Sequence, residues 1–117
     1  MRPLPRPAGR SSLAELAHLT APVPMILVSL AGGPKHGYAI MDDITSLAGV
    51  TLSSGTVYAA LARLQDLELI EALPAEGGRR KSYPYRLTRM GRIALRWHLA
   101  GVRRFTAEGQ RRLRENR

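Results

Sequence analysis

The stretch LSSGTVYAALARL, residues 52–64, determines how the rest of the chain is interpreted. Either Ser53 or Ser54 can accept a hydrogen bond from a free amide of the next turn, which predicts a helix from Ser53 to Leu67. At about 100° per residue, one face of this helix is apolar and the opposite face is small. The apolar face carries Val57, Leu61 and Leu64, and the small face carries Gly55, Ala59 and Ala62.

The small face is almost uncharged, whereas a solvated helix face normally carries long charged side chains. Small residues let a backbone approach another surface closely, and the major groove of DNA, about 12 Å wide, is one such surface. Packing against another helix is the alternative, and the face alone favours neither. Thr56 and Tyr58 flank this face and Arg63 follows it, which places hydroxyls and a guanidinium for phosphate and base-edge contacts.

Two shorter helices are predicted before this stretch. Pro22 and Pro24 fit the first turn of an apolar, nearly fully buried helix that ends at the Gly32-Gly33-Pro34 turn. The next helix begins at His36 or Gly37 and ends near residues 48–49, because apolar side chains recur there at helical spacing. Its predicted inward side chains are Tyr38, Ile40, Met41, Ile44 and Leu47, and its outward ones are Asp42, Asp43 and Ser46.

A β-hairpin with a basic tip is predicted after the helix from Ser53. Residues 69–73 and 82–87 form its strands and residues 74–79 its turn. Pro84 cannot donate to a ladder, so an edge or solvent-facing amide is expected there. The basic residues at the tip are Arg79, Arg80 and Lys81. This order predicts a winged helix-turn-helix in a mainly α fold, with the hairpin reaching the DNA backbone or minor groove.

The last predicted helix, from Arg89 to about Arg112 with Thr88 as its N-cap, carries three stripes. One apolar stripe holds Met90, Ile93, Ala94, Trp97 and Gly101. The second apolar stripe holds Leu95, Leu99 and Val102. The basic stripe beside them holds Arg89, Arg92, Arg96 and Arg103. One apolar stripe can meet the chain's own core, so the other predicts a two-fold dimer whose reading helices lie roughly 34 Å apart.

The N-terminal residues leave the assignment of the dimer interface open. Residues 11–20 predict a short helix, and its Leu13 and Leu16 are candidates for the interface together with the second apolar stripe. The alternative is that this helix covers that stripe within one chain. The predicted organisation is a basic, proline-rich flexible arm (1–10), the N-terminal helix (11–20), the DNA-binding domain (22–87), and a dimerisation helix with a basic tail (88–117).

Charge and composition narrow the classes of function. The net charge is +9, and residues 79–117 hold thirteen basic and two acidic residues. This excess favours a polyanionic partner, either nucleic acid or a membrane surface, but no apolar run approaches the roughly 20 residues of a bilayer span. The absence of cysteine excludes disulfides and thiol catalysis and fits the cytoplasm. His18, His36 and His98 are dispersed without metal-ligand spacing, so we expect neither a metal, a cofactor nor an enzyme.

Three stretches in order resemble the PadR family of bacterial transcriptional regulators. They are residues 33–40 (GPKHGYAI), 52–64, and 78–88 with its GRRKSY and YRLT segments. The resemblance spans about Met25 to Trp97. It departs at Ala39, where the family often has an acidic residue, and at Pro84, which interrupts the wing strand.

The resemblance implies a dimeric repressor that binds inverted-repeat operators, with His36-Gly37-Tyr38 opening the helix before the reading helix. The implied reading-helix contacts are Ser53, Ser54, Thr56, Tyr58 and Arg63, those of the wing are Arg79, Arg80 and Lys81, and we add Tyr38 and Ala59. Some members bind small aromatic ligands, so Trp97 has two candidate roles, core packing and an effector pocket. The rival function is a general nucleoid or ribosome-associated binder of nucleic acid, for which basicity suffices.

Overall fold

The computed structural model describes residues 22–74 and 83–116. The predicted arm, the N-terminal helix with Leu13 and Leu16, and the hairpin tip with Arg79, Arg80 and Lys81 lie outside these residues. The elements within them are α1 (Pro22–Ala31), α2 (Gly37–Ala48), α3 (Ser54–Asp66), β1 (Ile70–Ala72), β2 (Tyr85–Leu87) and α4 (Arg89–Glu115). Their shared core consists of Ile26, Leu27, Leu30, Ile40, Ile44, Val57, Ala60, Leu61, Leu64, Ile70, Leu87 and Leu95.

Helix α1 begins at Pro22, where the missing N–H costs nothing because the first-turn amides have no intrahelical partner. The prediction that α1 is nearly all buried is wrong at Val28, which is exposed. The neighbouring Ser29 is fully buried instead, and its hydroxyl donates to a carboxylate oxygen of Asp43 at 2.7 Å. Asp43 therefore faces α1 rather than solvent, which corrects its predicted outward position.

Helix α2 begins after His36 and ends at Gly49, which adopts φ 67° in the left-handed region that glycine enters without strain. Ile40 and Ile44 are buried as predicted, but Tyr38 and Leu47 are exposed. Tyr38 precedes Ile40 by two residues and so lies on the other side of the helix. Leu47 lies in the last turn of α2. Both side chains therefore belong to the surface rather than to the core.

Helix α3 ends in a Schellman motif that positions the start of the wing. The Leu69 amide donates to the Leu64 carbonyl at 3.0 Å, and the Glu68 amide donates to the Gln65 carbonyl at 2.9 Å. Glu68 holds the left-handed position at φ 59°, where glycine is usual. The chain then turns directly into β1.

The wing strands pair antiparallel, with Ile70 opposite Leu87 and Ala72 opposite Tyr85. At the next pair, the Leu73 amide donates to the Pro84 carbonyl at 2.8 Å, but Pro84 has no N–H to return the bond. Pro84 therefore ends the ladder with β1, which corrects the expected edge position. The other edge of β2 is also paired, because Tyr85 exchanges two backbone hydrogen bonds with Lys35 at 2.8 and 3.1 Å.

Helix α4 is capped by Thr88, whose hydroxyl accepts from the Gly91 amide at 3.0 Å and donates to the Glu68 carbonyl at 2.6 Å. The helix continues to Glu115, past the predicted end near Arg112. Leu95 is only 5% exposed and packs in the chain's own core. This corrects its assignment to a subunit interface, because the stripe that faces the core is the one that contains Leu95.

Candidate nucleic-acid interface

The outward face of α3 has the small side chains that the sequence indicates. Gly55, Ala59 and Ala62 are all exposed, while the buried side chains Val57, Leu61 and Leu64 hold the opposite face on the core. Ser54 and Arg63 are also exposed beside this face. The backbone of α3 is therefore accessible to a close-fitting surface along its first three turns.

The N-terminal turn of α3 divides its polar groups between the cap and the surface. The Ser53 hydroxyl accepts from the Thr56 amide at 3.2 Å and donates to the Thr56 hydroxyl oxygen at 2.9 Å. Ser53 thus uses its single donor inside the cap, whereas the Thr56 hydroxyl keeps its own hydrogen for an external acceptor. The side chains Ser53, Ser54 and Thr56 lie together at the exposed, positive end of the helix dipole.

Tyr58 is half-exposed and packs with its phenol over the first residue of α2. A Cβ atom at Gly37 would lie 2.4 Å from the Tyr58 hydroxyl oxygen, so the Tyr58 ring occupies the space that a side chain at this position would take. Burial, and secondarily the nearby Tyr58, raises the pKa of Tyr85 above its usual value. Tyr58 therefore lies between α2 and the wing strand, and the exposed Tyr38 follows Gly37 on α2.

Lys35 is a residue whose role the sequence analysis missed. Its ammonium donates to the Ser29 carbonyl at 2.5 Å and to the Gly33 carbonyl at 3.4 Å, at the C-terminal end of α1. A lysine just after Gly32-Gly33 is the usual signal for such a cation at a helix C-terminus. Its backbone pairs with Tyr85, so Lys35 fastens the wing to α1, and its side chain is directed at carbonyl groups rather than at the surface of α3.

The surface of α4 exposes a long series of apolar side chains. Trp97 is 74% exposed, and Leu99 and Val102 are each nearly half-exposed. The sequence analysis missed Phe105 and Leu113, which are 81% and 76% exposed. Leu99, Val102 and Leu113 continue the line of the buried Leu95 at successive spacings of four, three and eleven residues, which is the signal that could have found Leu113.

The sequence model of the transcriptional regulator PadR-like family matches residues 26–97. The chain belongs to this family. The match covers α1 to the first turns of α4, and members of the family bind DNA and regulate transcription. The sequence-based recognition and the fold class, a mainly α winged helix-turn-helix with a small hairpin, are therefore confirmed.

Solved structures of transcription regulators share this fold. A PadR family transcription regulator from Clostridium difficile R20291 is 22% identical, with a TM-score of 0.72 over 80% of this chain and 99% of that one. A transcriptional regulator from Clostridium thermocellum is 20% identical, with a TM-score of 0.69 over 90% of this chain and 97% of that one.

The PadR-like chain also has a relative of greater length. It is 43% identical over 71 residues to an uncharacterized 37.1 kDa protein in a transposon of Streptomyces fradiae. The match covers 61% of this chain and 20% of that protein, so the chain spans about a fifth of the length of this relative.

Two further properties concern residues 22–74 and 83–116. No helix in these ranges combines the length and the hydropathy required to cross a bilayer. No three His, Cys, Asp or Glu side chains of the same ranges converge as metal ligands would.

Proposed function

We propose that this PadR-like chain is a repressor that binds inverted-repeat operator DNA as a homodimer in the cytoplasm, on the nucleoid. The observation that carries the proposal is the exposed small face of α3 beside a capped, positively polarised N-terminal turn. Gly55, Ala59 and Ala62 let the helix enter the major groove, where the Ala59 methyl group suits a thymine methyl. We assign the chain neither a catalytic role nor a cofactor.

Phosphate contacts would position the reading helix. The Thr56 hydroxyl has a hydrogen free for a phosphate oxygen, and the first amides of α3 point outward beside it. The exposed Tyr38 of α2 and the half-exposed Tyr58 would offer their phenols, while Arg63 would reach base edges or phosphates. Ser54 is exposed without a capping bond and joins this set, whereas Ser53 acts through the cap. Wing residues Arg79, Arg80 and Lys81 would supply sequence-independent contacts to the backbone or minor groove.

The homodimer would form through the exposed continuation of α4. Leu99 and Val102 remain in the proposed interface, Leu95 leaves it, and Phe105 and Leu113 join it. Burying these four side chains against a second copy removes apolar surface from water at about 25 cal/mol per Å². The interface continues beyond the domain core, so each protomer folds around its own core while the two reading helices are held one DNA turn apart.

A small aromatic ligand would release the DNA by binding at Trp97. This side chain shares an exposed face with Met90 and Ile93, which are also exposed, and a planar ligand would stack on its indole. Titration with phenolic acids and planar drugs, followed by Trp97 fluorescence, tests this part. A lack of saturable change with every compound would remove its support without affecting operator binding.

Operator binding is tested by footprinting the protein on the DNA upstream of its own gene and by comparing operator with random duplex at several salt concentrations. We expect protection of an inverted repeat and tighter binding to it than to random DNA. Thr56→Ala should weaken operator binding about tenfold, the effect of one lost phosphate hydrogen bond near 1.4 kcal/mol. Thr45→Ala is the matched control, because that hydroxyl donates to the Met41 carbonyl of its own helix.

A general nucleic-acid binder is the second candidate function, favoured by the basic excess of the C-terminal third. It predicts equal affinities for operator and random DNA with identical salt slopes. That result would overturn the regulator proposal. The acidic character of residues 31–78, with six acidic and two basic residues, argues against it, because non-specific binders spread basic charge over the contact face.

A further inference from the structure

The basic stripe of α4, defined as Arg89, Arg92, Arg96 and Arg103, is exposed on one side of the helix. At about 100° per residue the four side chains fall within roughly 60° of one another around the helix. At 1.5 Å per residue they extend over about 21 Å, the length of about six base pairs of duplex DNA. The stripe therefore has the straight, one-sided form of a surface that follows a phosphate backbone.

The stripe arginines differ in their surroundings from Arg86, Arg111 and Arg112. Arg86 pairs with Glu71 across the wing strands, and Arg111 and Arg112 pair with Glu108 on the far half of α4. Within residues 22–74 and 83–116, none of the four stripe arginines forms an ion pair with an acidic side chain. Their charge is thus available to an external anion.

The first two stripe arginines lie at the N-terminus of α4, where positive charge lowers the stability of the helix. Arg89 is the first residue of α4 and Arg92 follows one turn later, while no acidic residue lies in that turn. Cations at a helix N-terminus are repelled by the positive end of the helix dipole. An anion bound there is attracted both by the dipole and by the arginine side chains. The helix also contains eight arginines and no lysine, and guanidinium groups suit bidentate contacts to phosphate better than ammonium groups do.

The stripe begins at the opposite end of the domain from the reading turn. Thr88 contacts Glu68, just after the C-terminus of α3, and α3 has 13 residues. Arg89 is therefore about 18 Å along the α3 axis from the N-terminal turn that carries Thr56. This exceeds the Debye length of about 8 Å at physiological salt, so the charge of Arg89 contributes little at the phosphates held by that turn.

We propose that the basic stripe binds the phosphate backbone of a second DNA duplex, distinct from the one read by α3. In the dimer the two stripes would flank the Leu99–Leu113 interface and together contact one additional segment. The protein would then hold two DNA segments at once, which is the geometry for bridging or looping. The proposal rests on the operator binding proposed above only for the identity of the first duplex.

The test is a two-duplex capture experiment with the full chain. The footprinted upstream duplex is immobilised and saturated with protein, and capture of a fluorescent random duplex is then measured against salt concentration. Four phosphate contacts predict a slope of about −3.6 in log affinity against log salt for each stripe, which is about a 150-fold loss between about 50 and 200 mM. Arg92→Gln with Arg96→Gln should reduce the size of that slope by about 1.8.

Arg111→Gln with Arg112→Gln is the matched control, because it removes the same charge from the same helix at residues that already pair with Glu108. We expect it to capture the second duplex as the wild type does. Retention on the immobilised duplex measures operator binding separately, and circular dichroism confirms that each variant is folded. A loss of retention on the immobilised duplex would therefore contradict the proposed function and not the second-duplex proposal.

Four outcomes would overturn the proposal. The first is failure of the wild type to capture the random duplex while it holds the first one. The second is an equal loss of capture in the stripe variant and the control. The third is an equal salt slope for the stripe variant and the wild type. The fourth is binding to vesicles of phosphatidylcholine and phosphatidylserine without capture of the second duplex, which would assign the stripe to a membrane surface.

Discussion

Gly91→Ala tests how α4 is attached to the reading helix. Gly91 is buried in the first turn of α4, where the helix lies directly on the turn after α3. A Cβ atom at this position would be 2.0 Å from the Leu69 carbonyl oxygen and 3.2 Å from a methyl carbon of Leu87. The first neighbour is backbone, so no side-chain rotation relieves the overlap. The helix must move away from the turn.

The cost follows from the contacts at this position. A carbon–oxygen contact requires about 3.3 Å, so α4 must retreat by about 1.3 Å. That movement disrupts packing, at about 2 kcal/mol, and strains the Thr88 hydrogen bonds to the Leu69 and Glu68 carbonyls, at about 1 kcal/mol each. Alanine returns about 1 kcal/mol through its higher helix propensity. The net expectation is a loss of about 3 kcal/mol in the free energy of unfolding.

The assay is thermal and urea unfolding at one fixed protein concentration, because dimerisation makes stability depend on concentration. At about 4 °C per kcal/mol, Gly91→Ala should lower Tm by about 12 °C. Gly101→Ala on the same helix is the control, since its Cβ would meet only an Arg104 nitrogen at 3.9 Å. That variant should gain up to about 1 kcal/mol. Equal or greater stability of Gly91→Ala relative to the wild type would refute the reasoning.

Three further changes have defined outcomes. Glu68→Gly should raise the free energy of unfolding by about 0.5 kcal/mol because glycine adopts φ 59° without strain, and urea unfolding that shows a loss would contradict the Schellman assignment. Leu99→Glu should give a folded monomer by sedimentation, since this side chain is half-exposed in the protomer, and a persistent dimer would exclude it from the interface. Arg111 and Arg112 hold the pKa of Glu108 below its usual value. The stabilisation of α4 by these pairs is therefore present above about pH 4 and is lost as the pH falls. In the Glu108→Gln variant, the helicity measured against pH should not show this loss.

The parts of the fold that depend on nearby residues could be predicted from the sequence. The Ser53 cap and the apolar face of α3 are set within a few residues, and the structure has them where the pattern indicates. The pairing of Lys35 with Tyr85 joins residues fifty positions apart, and no local sequence pattern predicts it. The buried bond from Ser29 to Asp43 was missed for the same reason, because each residue alone suits a surface.

The assignment of Leu95 shows a different limit. Helical periodicity identifies two apolar stripes on α4 but does not say which stripe faces the chain's own core. Gly91 makes that choice, because the missing side chain lets this side of the helix approach Leu69. The glycine lies one turn before Leu95 on the same face, so the sequence contained the signal that assigns Leu95 to the core. The site residues outside the described ranges, Arg79, Arg80 and Lys81, remain predictions.

The motif GPKHGY supports the family resemblance. Its role is structural, and it does not itself select a DNA sequence. Lys35 closes the C-terminus of α1 and pairs with the wing, and Gly37 leaves room for the Tyr58 ring. These contacts fix the angle between α2, α3 and β2 and therefore suit any regulator of this shape, whatever operator it binds. Operator choice must then come from exposed positions that the packing does not constrain, such as Thr56 and Arg63 on α3. Variation at these exposed positions would change the preferred DNA sequence without altering the domain that presents them.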